Sequence, residues 1–598
     1  MIIPYSKLLR IPIILAFDID RHGKTLVYSS NDSGILHLHV MRAKKGSEPR
    51  QITRGEDPVL MGFLSPEGDS LIYPLDNDGN ELHHLYLISL EGGDPRKITE
   101  IPYRTFGCDW HPSGMEITRS FASADSCGVE TINIETGESF KLMEPTPPIL
   151  GVEYSHDGEW IACTMFTGIK NQQILIVNRE DPSDTIVYSI REDSEEGAPS
   201  WSPDDRKLAY LSDASGSNQV VIQEFKGDEM VFLELREGEE VVGYKPLWGP
   251  RGDRVYYVVS KHSRTNAHEH PLDGERSPAL PFPEGTVGSM RMSEDGEKIF
   301  FIHSSMTSPS GIYLHQIGTS SVTPLTPREF GLDLSSLVKP QSVWYESFDG
   351  RKIHGWYLPS ASQDAQSPAI VYPHGGPTGQ VYDGWMQGSS FQSLSQSGFA
   401  VLAPNFRGST GYGAEFRDLN IGDLGGGDLE DVVHGAEWLR RQEEVDGSRI
   451  SIMGASYGGY MTLMALGKKP DAFAAGVSLV PAVDWLEMYK LSDTSYRVFL
   501  ARLLGGPPSE MEEVYRRGSP ITYVSNVKSP VMIVANRNDS RCPLQPIERY
   551  IEKLVEMGHS HEFFVEEKAG HLTDFIKSEK RVQTISRAVS YLSKTLVE

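Results

Sequence analysis

Cysteine is scarce in this chain. Its 598 residues hold four, Cys108, Cys127, Cys163 and Cys542. They fit no metal-binding spacing and are too few for a disulfide scaffold. No metal or cofactor is expected, and a reduced, cytoplasmic setting is the default. Whether Cys108 and Cys127 pair stays open. Positive charge is also short: 56 Lys and Arg face 82 Asp and Glu, for a net charge of −26. That argues against nucleic acid or an anionic membrane as partner and for a well-hydrated surface. Long apolar runs are missing as well. The N-terminal run Leu8–Phe17 is too short to span a bilayer and is broken by Arg10 and Pro12. Asp18 and Asp20 follow at once with no small-residue cleavage site, so the run predicts a strand rather than a signal peptide.

What is present is length and repetition. A chain of 598 residues exceeds one core, so two or more domains are expected. From Asp18 to about Pro327 a turn rich in Ser, Pro, Asp and Gly recurs ahead of an apolar, aromatic strand. Ser65-Pro66-Glu67-Gly68 precedes Leu71-Ile72-Tyr73, and Ser155-His156-Asp157-Gly158 precedes Trp160-Ile161-Ala162. The fourth turn positions fall at 23, 68, 114, 158, 205, 252 and 296, spaced 44 to 47 residues apart. Proline presets φ and glycine accepts positive φ between antiparallel strands. A period near 45 marks a β-propeller blade, and seven copies predict seven blades over residues 1–332. The Trp-Asp mark of the commonest propeller repeat is absent.

After Leu332 the rhythm changes. Two strand-like runs flank the hairpin signal Asp349-Gly350. Apolar runs at 369–373 and 399–404 then enclose a helical stretch, and a helix is expected from about Asp428 to Gln442. Strands alternating with helices predict an α/β-hydrolase domain over 333–598, with a doubly wound, mostly parallel sheet.

Within it, Arg449–Ala455 reads as a strand and Tyr457–Met464 as a helix, joined at Gly454-Ala455-Ser456-Tyr457-Gly458. A Gly-x-Ser-x-Gly turn of this kind lifts a serine hydroxyl from the sheet. The helix N-terminus adds N–H groups and partial positive charge beside a developing oxyanion. His374-Gly375-Gly376-Pro377 follows the strand at 369–373, so its glycines can turn N–H groups toward the site as one half of an oxyanion hole, with the N–H of Tyr457 as the other. A serine nucleophile needs a base, and the base an orienting carboxylate. In this fold the order is serine, acid, histidine. Asp539 follows the strand 531–535, and His571, the last histidine, follows the strand near 563–565. His434, His559 and His561 lie on helical or pre-strand segments and compete poorly.

Five segments carry a resemblance: His374–Pro377, Asn405–Gly413, Gly454–Tyr460, Asn538–Pro543 and Ala569–His571. The chain resembles the prolyl oligopeptidase family of serine peptidases, and through Val483–Asp493 and Asn538–Arg541 it is most similar to the acylaminoacyl peptidase branch. The resemblance implies a propeller that covers the site and admits short peptides, released as N-acylated amino acids from blocked substrates. It also implies that the Gly376 N–H is the oxyanion-hole donor of its loop, and that Arg541, otherwise readable as a salt bridge or loop brace, lies near the substrate. Members often begin with a longer helix joining the hydrolase domain, whereas about ten residues precede the first strand here. A dipeptidyl peptidase, a broad esterase or amidase, and a binding scaffold are the alternatives. For the dipeptidyl reading the acidic pair is Glu195-Glu196, a charge run otherwise expected to be a solvated loop. Oligomeric state stays open, a homo-oligomer included.

Overall fold

The repeated turns close as their residue types dictate. At the fourth position, Gly23, Gly68, Gly114, Gly158, Asp205, Gly252 and Gly296 all have φ between 55° and 78°. Glycine enters this left-handed region freely. Asp205 is the exception, and its carboxylate accepts the N–H groups of His156 (2.9 Å) and Asp157 (3.0 Å) from the preceding repeat. Two bonds between repeats thus offset its less favourable backbone.

The computed structural model describes residues 3–362 and 366–597. It folds the repeats into seven four-stranded antiparallel sheets, the blades of a propeller. Six run in simple chain order, as in Glu196–Trp201, Lys207–Ser212, Gln219–Glu224 and Met230–Phe232. The sixth departs: Glu240–Val241 and Leu247–Trp248 both pair with the long strand Arg254–Lys261, so its inner edge is interrupted. The ring closes without strand exchange between its ends. Phe17, Leu26 and Tyr28 of the first blade instead pack on Phe300, Ile302 and Ile312 of the seventh.

The second half forms one eight-stranded sheet. Its strands are β1 (Gln341–Glu346), β2 (Lys352–Leu358), β3 (Ser367–Val371), β4 (Ala400–Asn405), β5 (Val445–Ala455), β6 (Gly476–Leu479), β7 (Val531–Asn536) and β8 (His561–Glu566). The order is β1-β2-β4-β3-β5-β6-β7-β8, antiparallel up to β4 and parallel from there on. Apolar clusters cover both faces, which is why β3 to β7 read as continuous hydrophobic runs rather than alternating ones. The helix expected at 428–442 spans Gly427–Leu439.

The N-terminal expectation is corrected in part. The strand begins only at Ile14 (Ile14–Ile19), and Tyr5–Leu8 is a single helical turn. Leu8 and Leu9 are adjacent apolar residues that serve two different clusters. Leu9 packs with Trp356 and Phe391, while Leu8, Ile11 and Ile13 pack with Leu337, Trp385 and Ile576. This short segment therefore reaches the hydrolase sheet without a long helix. All four cysteines are buried free thiols, Cys108 and Cys127 included. No helix among the described residues is long and apolar enough to cross a membrane.

Candidate active site

The turn after β5 is built on close backbone approach. A Cβ on Gly454 would lie 2.5 Å from the carbonyl carbon of Gly458, and one on Gly458 would lie 2.1 Å from the carbonyl oxygen of Pro373. Neither position accepts a side chain, so strand and helix can cross here only as glycines. Ser456 sits between them at φ 57° and ψ −120°, a strained conformation for a serine. Its N–H donates to the Leu479 carbonyl at 2.9 Å, and its carbonyl accepts from Tyr460 N–H at 2.9 Å. The helix Tyr457–Lys468 starts at the next residue.

Two further loops meet the serine. His571 Nε2 stands 2.9 Å from Ser456 Oγ, and His571 Nδ1 stands 2.7 Å from Asp539 Oδ2. The other Asp539 oxygen accepts the N–H groups of Arg541 (2.9 Å) and Cys542 (2.8 Å), which fixes the carboxylate in place. The loops are tied to each other: Asn538 N–H donates to the Ala569 carbonyl at 2.9 Å, and the Asn536 amide to that of Gly570 at 2.8 Å. Ser456, Asp539 and His571, picked from sequence, are thus brought together. The Cys542 thiol also lies close to Asp539 and His571, with ligand atoms within 4.8 Å of one another. Burial raises that thiol far above its ordinary range.

Gly376 lies on the loop that touches the serine. A Cβ on its neighbour Gly375 would stand 3.4 Å from Ser456 Cβ. His374 braces this loop from within. Its Nδ1 pairs with the Gly375 carbonyl (2.8 Å), its Nε2 with the Ser409 hydroxyl (2.8 Å), and its ring stacks on Phe406 at 4.4 Å. Burial drives its pKa down to about 4, so the imidazole is neutral. Opposite, the Tyr457 hydroxyl donates to buried Asp428, whose carboxyl burial pushes up to about 7. That anchor holds the residue that directly follows Ser456.

The propeller presses directly on these loops. Gly79 lies against Gly570, where a Cβ on either would overlap the other's backbone, and the Asn538 amide donates to the Asp78 carbonyl at 3.1 Å. Glu81 accepts from Arg541 Nε at 2.9 Å and pairs with Arg104 at 3.0 Å. Burial alone would raise the Glu81 carboxyl, but the two arginines outweigh it and hold it at about 2. Sequence reading missed Gly79 and Glu81. The turn-rich run Asp76–Glu81 is visible, but nothing local names a partner more than 450 residues away. Arg541 is therefore found in a brace, as its plainer reading held, beside the site.

Above the loops lies a chamber of about 850 Å³, lined by the inner strands of the blades and by Thr378, Gln380, Thr410 and Arg417. A smaller cavity of about 180 Å³ reaches His571 and Arg541 and shares Phe63, Phe106 and Cys108 with it as a common wall. Glu195 lines the chamber. The expectation of a solvated loop at Glu195-Glu196 is corrected: Glu196 is buried in a strand, and the Glu195 carboxylate pairs with Arg417 (3.2 Å) and Arg502. Facing cations from the hydrolase half, invisible in the local sequence, draw Glu195 in.

Comparison with known proteins agrees with this architecture. Residues 385–598 match the Prolyl oligopeptidase family. Dipeptidyl aminopeptidase BIII of Pseudoxanthomonas mexicana is 24% identical over 546 residues, covering 87% of this chain and 78% of that protein. The acylamino-acid-releasing enzyme of Mus musculus is 32% identical over 220 residues, covering 35% of this chain and 29% of that enzyme. In fold, the chain is similar to a puromycin-hydrolyzing peptidase of Mycobacterium tuberculosis, with a TM-score of 0.87, 18% identity, and 99% and 96% of the two chains covered. The matched region, residues 385–598, is thus that of a prolyl oligopeptidase family member, and the peptidase-named relatives mark the chain as a serine hydrolase.

Proposed function

We propose that Ser456 is the nucleophile of a peptidase acting on short peptides, with residues 1–332 as the propeller and 333–598 as the catalytic domain. The observation that carries this reading is the unbroken hydrogen-bonded chain Asp539–His571–Ser456. His571 Nε2 takes the Ser456 proton as Oγ attacks the scissile carbonyl, and Asp539 holds the imidazole in the tautomer that can do so. The oxyanion accepts from the N–H groups of Tyr457 and Gly376. His571 then passes the proton to the leaving amine, leaving an acyl-enzyme on Ser456. Water, activated by the same imidazole, releases the acid.

The preferred substrates in this reading carry a blocked N-terminus and yield an N-acylated amino acid. Glu195 supports it: two arginines already neutralise its carboxylate, leaving little charge for a substrate ammonium group. Arg541 supports it too, since its pairing with Glu81 uses Nε and Nη2 and leaves Nη1 to donate to an acyl carbonyl. A second reading, removal of dipeptides from a free N-terminus, is favoured by Glu240. That buried carboxylate lines the same chamber and is held by the N–H groups of Asn218 and Gly413, both at 3.4 Å. A relative matched along most of this chain is a dipeptidyl aminopeptidase by name. Kinetics on matched acetyl and free-amine nitroanilides, Gly-Pro nitroanilide included, separate the two. Faster turnover of the acetylated series supports the first reading. Clear preference for the free dipeptide, lost on combining Glu195→Ala with Glu196→Ala or on Glu240→Gln, replaces it with the second.

A further inference from the structure

Arg581 is the fourth residue of the C-terminal helix Ser578–Val597, and it is 4% exposed. An arginine stays charged at any physiological pH, so burying one calls for a nearby negative charge. Its Nη2 donates to two neutral acceptors, the Met386 carbonyl at 3.2 Å and the Ser389 hydroxyl. Its Nη1 is buried with no hydrogen-bond partner. Among the described side chains no carboxylate pairs with it, whereas the other deeply buried arginines, Arg119, Arg407, Arg417 and Arg502, each meet one. Burial brings its pKa down to about 10, as befits a cation with no counter-charge among the described side chains.

Beside this guanidinium lies a cavity of about 30 Å³, lined by Tyr372, Ser390, Val480, Thr584 and Ile585 among others. That is room for one small ion or one water. A water would satisfy Nη1 but leave the charge uncompensated. A polyatomic anion such as sulfate is too large for the space. The lining offers the hydroxyl groups of Tyr372, Ser390 and Thr584 as donors and, among the described side chains, no acid that would repel an anion. We propose that this cavity is a binding site for a small monovalent anion, chloride by preference, with Arg581 as its cation.

The position gives such an ion a consequence. Ala455, which lines the cavity, directly precedes Ser456, and Leu479, also in its wall, accepts the Ser456 N–H. Tyr372 lies two residues before His374, directly after the strand Ser367–Val371 that leads into the Gly375-Gly376 loop. The anion would join the ends of three strands to the C-terminal helix behind the catalytic turn. The ordered protein therefore binds it and the unfolded chain does not, so chloride stabilises the fold by mass action.

The test compares sodium chloride with sodium gluconate at matched ionic strength, using the full chain. The unfolding midpoint should rise by about 1–3 °C for each tenfold increase in chloride above its dissociation constant, and not with gluconate. Arg581→Met should abolish the difference between the two salts. Crystals grown in sodium bromide give a second measurement that does not depend on that variant folding: an anomalous peak should stand beside Arg581 Nη1. Equal midpoints in the two salts, a chloride effect that persists in Arg581→Met, or a guanidinium with no halide beside it would each overturn the proposal.

Discussion

The catalytic turn and the chamber above it are held by different kinds of contact. Ser456, Asp539 and His571 stand on three loops of one sheet, set by backbone hydrogen bonds and by approaches that only glycine allows. The chamber joins two halves of the molecule through ion pairs, Glu81 with Arg541 and Arg104, and Glu195 with Arg417 and Arg502. Backbone bonds between neighbouring strands are insensitive to salt and mild acid. Ion pairs between separate bodies weaken with salt, and with acid only once pH falls below the carboxylates' unfolded values. On the proposed function the first performs the reaction and the second presents the substrate: damage to the first should abolish turnover, and damage to the second should reduce or redirect it.

The largest effect expected is at the turn. Ser456→Ala should fold normally and lose about 10⁴–10⁶-fold in rate, because the covalent step is gone. Near wild-type hydrolysis by this variant would break the comparison at its root. Next comes size selection by the chamber. Short peptides should be cleaved readily while a native globular protein survives prolonged incubation, and robust digestion of the latter would show that the propeller does not cover the site.

A smaller effect is expected at the brace. Glu81→Gln should lower kcat/KM by about 10- to 100-fold, since Arg541 follows Asp539 by two residues and a small displacement of that loop is costly. The wild-type brace should persist in acid. The folded Glu81 carboxyl sits at about 2, below its unfolded value near ~4.3, so its contribution is complete above that unfolded value and disappears as pH falls toward 2. Unchanged kinetics in Glu81→Gln would make the contact ornamental to catalysis.

The smallest effects concern stability against pH. Burial lowers His354 to about 3 and His374 to about 4. Unfolded histidine binds a proton near ~6.5, so these residues leave the fold unaffected above that pH and destabilise it as pH drops toward 4. Asp109 in the chamber wall acts in the opposite sense. Burial raises it to about 7, so the folded state holds its proton more tightly and stability falls as pH rises from about 4 to 7. His354→Phe should therefore flatten the acid limb of a melting profile, and Asp109→Asn should gain more at pH 8 than at pH 5. Parallel profiles for either variant and the wild type would refute the assignment.

Legibility in the sequence follows the range of the interactions. The seven turns announced themselves because each is a local matter of Pro, Gly and Asp at fixed offsets, and the left-handed backbone at all seven fourth positions is what that chemistry requires. The serine turn was legible for the same reason, since Gly454 and Gly458 are dictated by atoms a few residues away. Asp539 and His571 could be picked because the fold fixes their order after the serine. Glu81, Gly79 and the true setting of Glu195 could not, because their partners lie hundreds of residues along the chain on the other half of the molecule. The N-terminal run was misjudged in part for a related reason. Leu8 and Leu9 look like strand residues until the helix Trp385–Gln396 they pack beside is known.

The central claim is that catalysis proceeds through a covalent intermediate on Ser456. Its most direct test is intact-mass and peptide mapping of the full chain after exposure to a fluorophosphonate. One adduct per chain on Ser456, formed in step with loss of peptide hydrolysis and absent from His571→Ala on the same timescale, is the result expected. Modification elsewhere, or full peptidase activity in a chain quantitatively labelled at Ser456, would contradict it.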